Sequence, residues 1–113
     1  MDTASAFRLA EAASKRGDGF KVFDWDKAAR IIKERGAKEA SAGLSQDWEW
    51  TGGVIFKDGK PYMDDYTYLS SIWATPELNI DGEYIDCWKV QESNGWNSKT
   101  KWPESALKIL NQD

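Results

Sequence analysis

The chain has 113 residues with a formal net charge of −4, and its 7 Trp and 4 Tyr supply apolar bulk that Leu, Ile and Val do not. That length supports one domain, residues 1–113, with a single core that needs no covalent staple. The absence of His and the single Cys exclude imidazole acid–base catalysis, an intrachain disulfide and a thiolate zinc site.

No stretch approaches the roughly 18–20 apolar residues of a membrane span. The first residues carry Asp2 and Glu11 and lack the long apolar run of a secretory leader. A lone Cys87 fits a reducing compartment, so a cytoplasmic location is expected. Charge is uneven along the chain. Residues 1–43 hold nine basic and seven acidic side chains, whereas residues 44–92 hold three basic and ten acidic, and residues 93–113 are net +1. The acidic middle repels phosphate backbones, so no direct nucleic-acid partner is expected. It suits a basic protein surface or a cation. The same charges also serve to keep a sheet soluble.

The pattern predicts a thin, peripheral helix over Ala4–Arg16, with Phe7, Ala10 and Ala13 as its apolar stripe and Gly17 as its stop. A second helix begins after Asp24, a good N-cap, and Phe23 can staple onto Ala28. Its inner face is Trp25, Ala28, Ala29 and Ile32, and Gly36 closes it. Ala37–Ser45 reads as a short helical turn or a close-packed connector. From Trp48 the period changes to two. Gly52-Gly53 should break or bulge this strand. Asp58-Gly59 marks a hairpin, and Pro61 restricts its strand to an edge or a start. Tyr66–Ala74 alternates again and ends at Pro76. Leu78 and Ile80 share a face before a second hairpin at Asp81-Gly82. Tyr84, Asp86, Trp88 and Val90 then oppose Ile85, Cys87 and Lys89, with Cys87 in mid-strand. Asn94-Gly95 is a third hairpin signal. Pro103 suits the first position of a last helix whose inner face is Ala106, Leu107 and Leu110. The fold class is α+β: two N-terminal helices, an antiparallel sheet of five or six hairpin-linked strands, and a short C-terminal helix.

Chemistry is sparsely encoded. Cys87 has no His to activate it and reads as a small buried hydrophobe. No nucleophile elbow, phosphate loop or dinucleotide fingerprint is present. Carboxylates are the one enzymatic route left, through Asp64-Asp65 with Glu49 and other nearby acids. Such groups could hydrolyse a glycoside or hold a hydrated cation, but adjacent aspartates also occur in ordinary turns. No metal site or cofactor is expected. Aromatic recognition is the stronger lead, because a two-faced sheet cannot turn every ring inward, although a leucine-poor core can also absorb rings. The candidate binding residues are Trp48, Trp50, Asp64, Asp65, Tyr66, Tyr68 and Trp96. Trp96 and Trp102 lie among Asn, Ser and Lys and are expected to be partly exposed.

Ala28-Ala29-Arg30-Ile31-Ile32-Lys33, Gly36, Asp47-Trp48-Glu49-Trp50-Thr51-Gly52-Gly53 and Tyr68-Leu69-Ser70-Ser71-Ile72-Trp73-Ala74-Thr75-Pro76 resemble the small proteins of phages and mobile elements. Residues 24–56 are similar to the phage anti-Thoeris sponges, which open with a helix, a Gly-ended turn and Trp-rich strands. Ser41 and Leu44 stand where those sponges carry a basic residue and a Trp. In size and acidity the chain is also similar in type to anti-CRISPR proteins. The resemblance implies a counter-defence protein.

Together these features lead to an expectation of a non-enzymatic inhibitor that blocks a host protein, such as a CRISPR component, through an acidic aromatic surface. The other readings are a module binding a planar or cationic small molecule, including a nucleotide signal, and a carboxylate hydrolase. An open aromatic edge or face also predicts a homodimer.

Overall fold

The computed structural model describes residues 19–46, 49–63, 70–71, 74–91 and 101–112. The expected first helix, Ala4–Arg16, and the Asn94-Gly95 hairpin lie outside the described residues. Strand β1 (Phe20–Phe23) leads into helix α1 (Trp25–Arg35), followed by strands β2 (Ala40–Gln46), β3 (Glu49–Lys57), β4 (Lys60–Pro61), β5 (Ser70–Ser71), β6 (Pro76–Ile80), β7 (Glu83–Asp86) and β8 (Trp88–Gln91). Helix α2 (Glu104–Asn111) closes the described chain. All pairings are antiparallel, in two sheets ordered β4-β3-β2-β6-β7 and β5-β1-β8. The class is α+β, as the pattern of elements predicts.

Helix α1 forms as the sequence dictates. The Asp24 carboxylate accepts the Lys27 amide at 3.1 Å, and Gly36 ends the helix in the left-handed conformation. Ala28, Ala29 and Ile32 are buried together. Helix α2 runs beside it in the same direction. Ser105 Oγ donates to Asp26 at the N-terminal ends, and Lys33 Nζ donates to the Ile109 carbonyl at the other ends. Pro103 is the N-cap of α2 rather than its first helical residue. Both helices cover one face of the five-stranded sheet, where Ala40, Ala42, Ile55, Phe56, Leu78 and Ile80 meet Ala28, Ile32 and Ala106.

Two expectations need correction. Ala37–Ser45 is not a connector: Ala40–Gln46 is the central strand β2, paired on both sides. Small residues have weak strand propensity, but pairing with two neighbours overrides it. Phe20–Phe23, too short to show a period, is also a strand. The pairing runs unbroken through Gly52-Gly53, and the irregularity sits where Ala40 and Ser41 face Phe56 and Val54, leaving Ile55 as the extra residue. Gly52 is needed for close approach instead. A methyl there would press on the Ala42 carbonyl and lie 2.6 Å from Gly43 Cα. Pro76 starts β6, one of the strand positions where a missing N–H is tolerated. The hairpins stand as read: Asp58 and Gly59, and likewise Asp81 and Gly82, all have positive φ.

Trp102, expected to be partly exposed, is 8% exposed. Its Nε1–H donates to the Ile55 carbonyl at 2.8 Å and the Tyr62 carbonyl at 3.2 Å. Its ring meets Trp25 edge-on at 4.7 Å, and Trp25 meets Phe23 at 4.9 Å. The polar residues before it in sequence hid this role, because one indole contributes large area and its single N–H needs only an acceptor. Trp102→Phe removes the N–H that two carbonyls share and leaves part of the indole's space unfilled, so it should lower unfolding free energy by about 1–3 kcal/mol in denaturant titration. A loss under about 0.5 kcal/mol, the surface level, would contradict this role. Gly52→Ala should cost about 1–3 kcal/mol by overpacking and lower amide-exchange protection along β2 and β3; unchanged protection would contradict the close approach.

Candidate functional site

The segment from Glu83 to Gln91 forms one border of both sheets. β7 pairs only with β6, and β8 only with β1, among the described residues. The chain passes between sheets at Cys87, which is therefore a joint rather than a mid-strand residue. Its N–H donates to the Pro76 carbonyl at 3.2 Å, and its carbonyl accepts the Asp24 N–H at 3.0 Å. Burial alternates from Tyr84 to Trp88 across this joint, and Lys89 beyond it is exposed like its neighbours. Ile85, Cys87 and Gln91 are buried or half-buried, whereas Tyr84, Asp86, Trp88 and Val90 are exposed.

The exposed row holds three of the four large exposed hydrophobic side chains among the described residues: Tyr84 at 53%, Trp88 at 36% and Val90 at 50%. Their side chains share one face because strand residues two apart do so. Asp86 sits between the two rings and directly opposite Glu77 on β6. Lys21 Nζ lies 5.5 Å above the Trp88 ring, a cation–π contact that steadies the indole while leaving it exposed. At the other end of β7, Arg35 grips the Glu83 carboxylate with two N–H groups at 2.5 and 3.4 Å. The hydrogen bond from Arg35, then its charge, holds the Glu83 carboxyl below its usual range. Both side chains are exposed, so the clamp sets orientation more than stability.

Nucleophilic chemistry finds no support at Cys87. Burial, then the Asp24 charge, pushes its thiol up to about 12, and Sγ–H donates to the Asp24 carbonyl at 3.2 Å. Thiolate, the reactive species, is scarce in such a setting. Among the described residues, no group of three or more His, Cys, Asp or Glu could hold a metal ion, and no helix is long and apolar enough to cross a membrane. The described ring pairs meet edge-on at 61° and 75°, which leaves no parallel slot between them for a planar ligand.

Of the residues the sequence singles out for binding, Trp50 lies on β3 opposite Ser45. Trp48, Asp64, Asp65, Tyr66, Tyr68 and Trp96 lie outside the described residues. Tyr84, Asp86, Trp88 and Val90 were legible as one face yet not as a site. The signal that distinguishes them is negative: no described strand lies beyond β7 or β8 to cover them. Comparisons with protein-family models, curated proteins and solved structures give no match.

The Cys87 thiol has two measurable consequences. Its folded pKa lies above its ordinary value of 9.0, so its contribution to stability is complete below that value and is lost as pH rises toward about 12. Cys87→Ala should flatten the decline of stability above pH 9, followed by denaturant titration; an identical decline would contradict the burial argument. A thiol reagent at pH 8 should label native Cys87 only at the rate of opening, so rapid labelling in buffer would do the same.

Proposed function

We propose that the protein is a non-enzymatic binding protein that blocks a host protein by seating the Tyr84–Val90 row against a basic patch. The observation that carries this reading is the row itself: two exposed rings and a valine, with Asp86 between them, on strands that nothing described covers. Rings of this kind supply anchoring area, and a neighbouring carboxylate selects Lys or Arg and speeds encounter. The sequence adds ten acidic side chains against three basic ones over residues 44–92. The resemblance to small phage and mobile-element proteins supports a host defence protein as the partner and the cytoplasm as the setting.

The test is a comparative capture from bacterial lysate, followed by titration of the captured protein. Wild type should retain a basic partner whose association slows as salt rises. Trp88→Ala should weaken binding by roughly 30-fold, the level of an anchoring ring at about 2 kcal/mol. Tyr84→Ala should add to that loss. A partner held equally well by the Tyr84→Ala, Trp88→Ala double variant would refute this face as the docking surface.

A further inference from the structure

At the far end of β7 from Trp88, a cleft of about 400 Å³ opens between the end of α1 and the β6–β7 hairpin. That volume lies in the range of small-ligand pockets, roughly 300–1,000 Å³. Arg35, Ala37 and Lys38 line it from the helix side, and Ile80, Asp81 and Glu83 from the hairpin. Turn chemistry shapes both sides. Gly36 is left-handed, and the Gly36 and Ala37 N–H groups fold back onto the Lys33 and Ile32 carbonyls. Asp81 and Gly82 have positive φ, and the Gly82 N–H donates to the Asn79 side chain. The helix loop thus spends its own N–H groups, and α1 offers the cleft the negative end of its dipole.

Four charges of two signs surround an apolar part formed by Ile80, 2% exposed, and half-buried Ala37. Arg35 and Glu83 neutralise each other through their clamp. The Asp81 charge also acts on Arg35, after the Glu83 hydrogen bond that dominates there, which places Asp81 near the end of α1. Asp81 and Lys38 are both exposed and form no ion pair with each other, so one acid and one base stay available on opposite sides. An anion alone meets Asp81, Glu83 and the α1 dipole; a cation alone meets Arg35 and Lys38. A molecule carrying both signs finds an opposite charge for each.

We propose that this cleft binds a small zwitterion with an apolar side chain, an amino acid or a dipeptide. Its ammonium goes to Asp81, where the α1 dipole also favours positive charge. Its carboxylate goes to the Lys38 ammonium, and its side chain lies over Ile80 and Ala37. The Arg35–Glu83 clamp ties α1 to the hairpin and so fixes the spacing of the two binding charges. The cleft shares no residue with the exposed aromatic row, so it stands whether or not that row docks a protein.

The test is an amide-resolved NMR titration of the full chain at constant ionic strength and about pH 6.5, where an α-amino group is protonated. The ligands are leucine, leucyl-leucine, N-acetylleucine and leucinamide. Exposed charge pairs are weak, so roughly millimolar affinity is expected and each ligand is raised to about 20 mM. The zwitterions should shift the amides of residues 36–38 and 81–83 saturably. N-acetylleucine and leucinamide should bind about fivefold more weakly, the weight of one exposed pair. The tighter of leucine and leucyl-leucine fixes which zwitterion the cleft takes. Asp81→Asn, which positive φ tolerates, should erase the preference over N-acetylleucine and keep that over leucinamide. Lys38→Gln should do the reverse, and it decides alone should Asp81→Asn disturb the hairpin. No saturable shift in the wild type overturns the proposal. So do equal affinities for all four ligands, shifts confined to residues outside the cleft, or a Lys38→Gln variant that keeps the wild-type order of affinities.

Discussion

Asp24 and Cys87 hold the architecture at one point. The Asp24 N–H donates to the Cys87 carbonyl, the Cys87 thiol donates back to the Asp24 carbonyl, and the Asp24 side chain caps α1 through the Lys27 amide. Cys87 adds a fourth link through its N–H to Pro76. One residue pair thus ties β1, α1, the start of β6 and the joint between β7 and β8. Each such bond is worth about 0.5–1.5 kcal/mol net, but their greater effect is directional. By turning Cys87 inward they fix the parity of the whole border strand. That parity sends Tyr84, Asp86, Trp88 and Val90 outward together.

Trp102 serves the opposite side of the five-stranded sheet. The β3 irregularity at Ile55 presents a carbonyl that accepts from both the Tyr62 amide and the Trp102 indole. The extra residue is therefore the socket that docks the C-terminal segment, and with it α2, onto the β3–β4 hairpin. Trp25 packs on the same indole from α1. Beside Ile31, Ile32, Leu107, Ile109 and Leu110, the two helices are joined by two rings and by one hydrogen bond at each end.

Local chemistry was the legible part of the sequence. The Asp24 cap, the Gly36 stop, both Asp-Gly turns and the alternation from Tyr84 to Trp88 each depend on a few neighbouring residues, and each is found where the sequence places it. What was illegible depends on distant partners. Strand β2 is built from Ala40, Ser41, Ala42 and Gly43, which have no strand signature until β3 and β6 flank them. Cys87 looks like any mid-strand residue until Asp24 and Pro76 draw it between two sheets. Trp102 follows a polar stretch, and only the Ile55 carbonyl reveals its buried N–H. The site divides in the same way: the face of the border strand was readable, whereas its place at the border of both sheets among the described residues is a property of topology.

The small residues also account for the exposed rings. Ala28, Ala29 and Ala106 on the helices face Ala40 and Ala42 on the sheet, all at 2% exposure or less. Alanine against alanine brings the layers close, and interiors pack to near-crystalline density, so the space between helices and sheet is thin. It accommodates Phe23, Phe56 and Trp102. Enlarging it for further rings would require the alanines to give way across the whole contact. Tyr84 and Trp88 sit on the border strand with parity set against the core, and no rotamer change can bring them inside. Their exposure follows from the same close packing that keeps the core intact, which makes the recognition face a consequence of the fold rather than an addition to it.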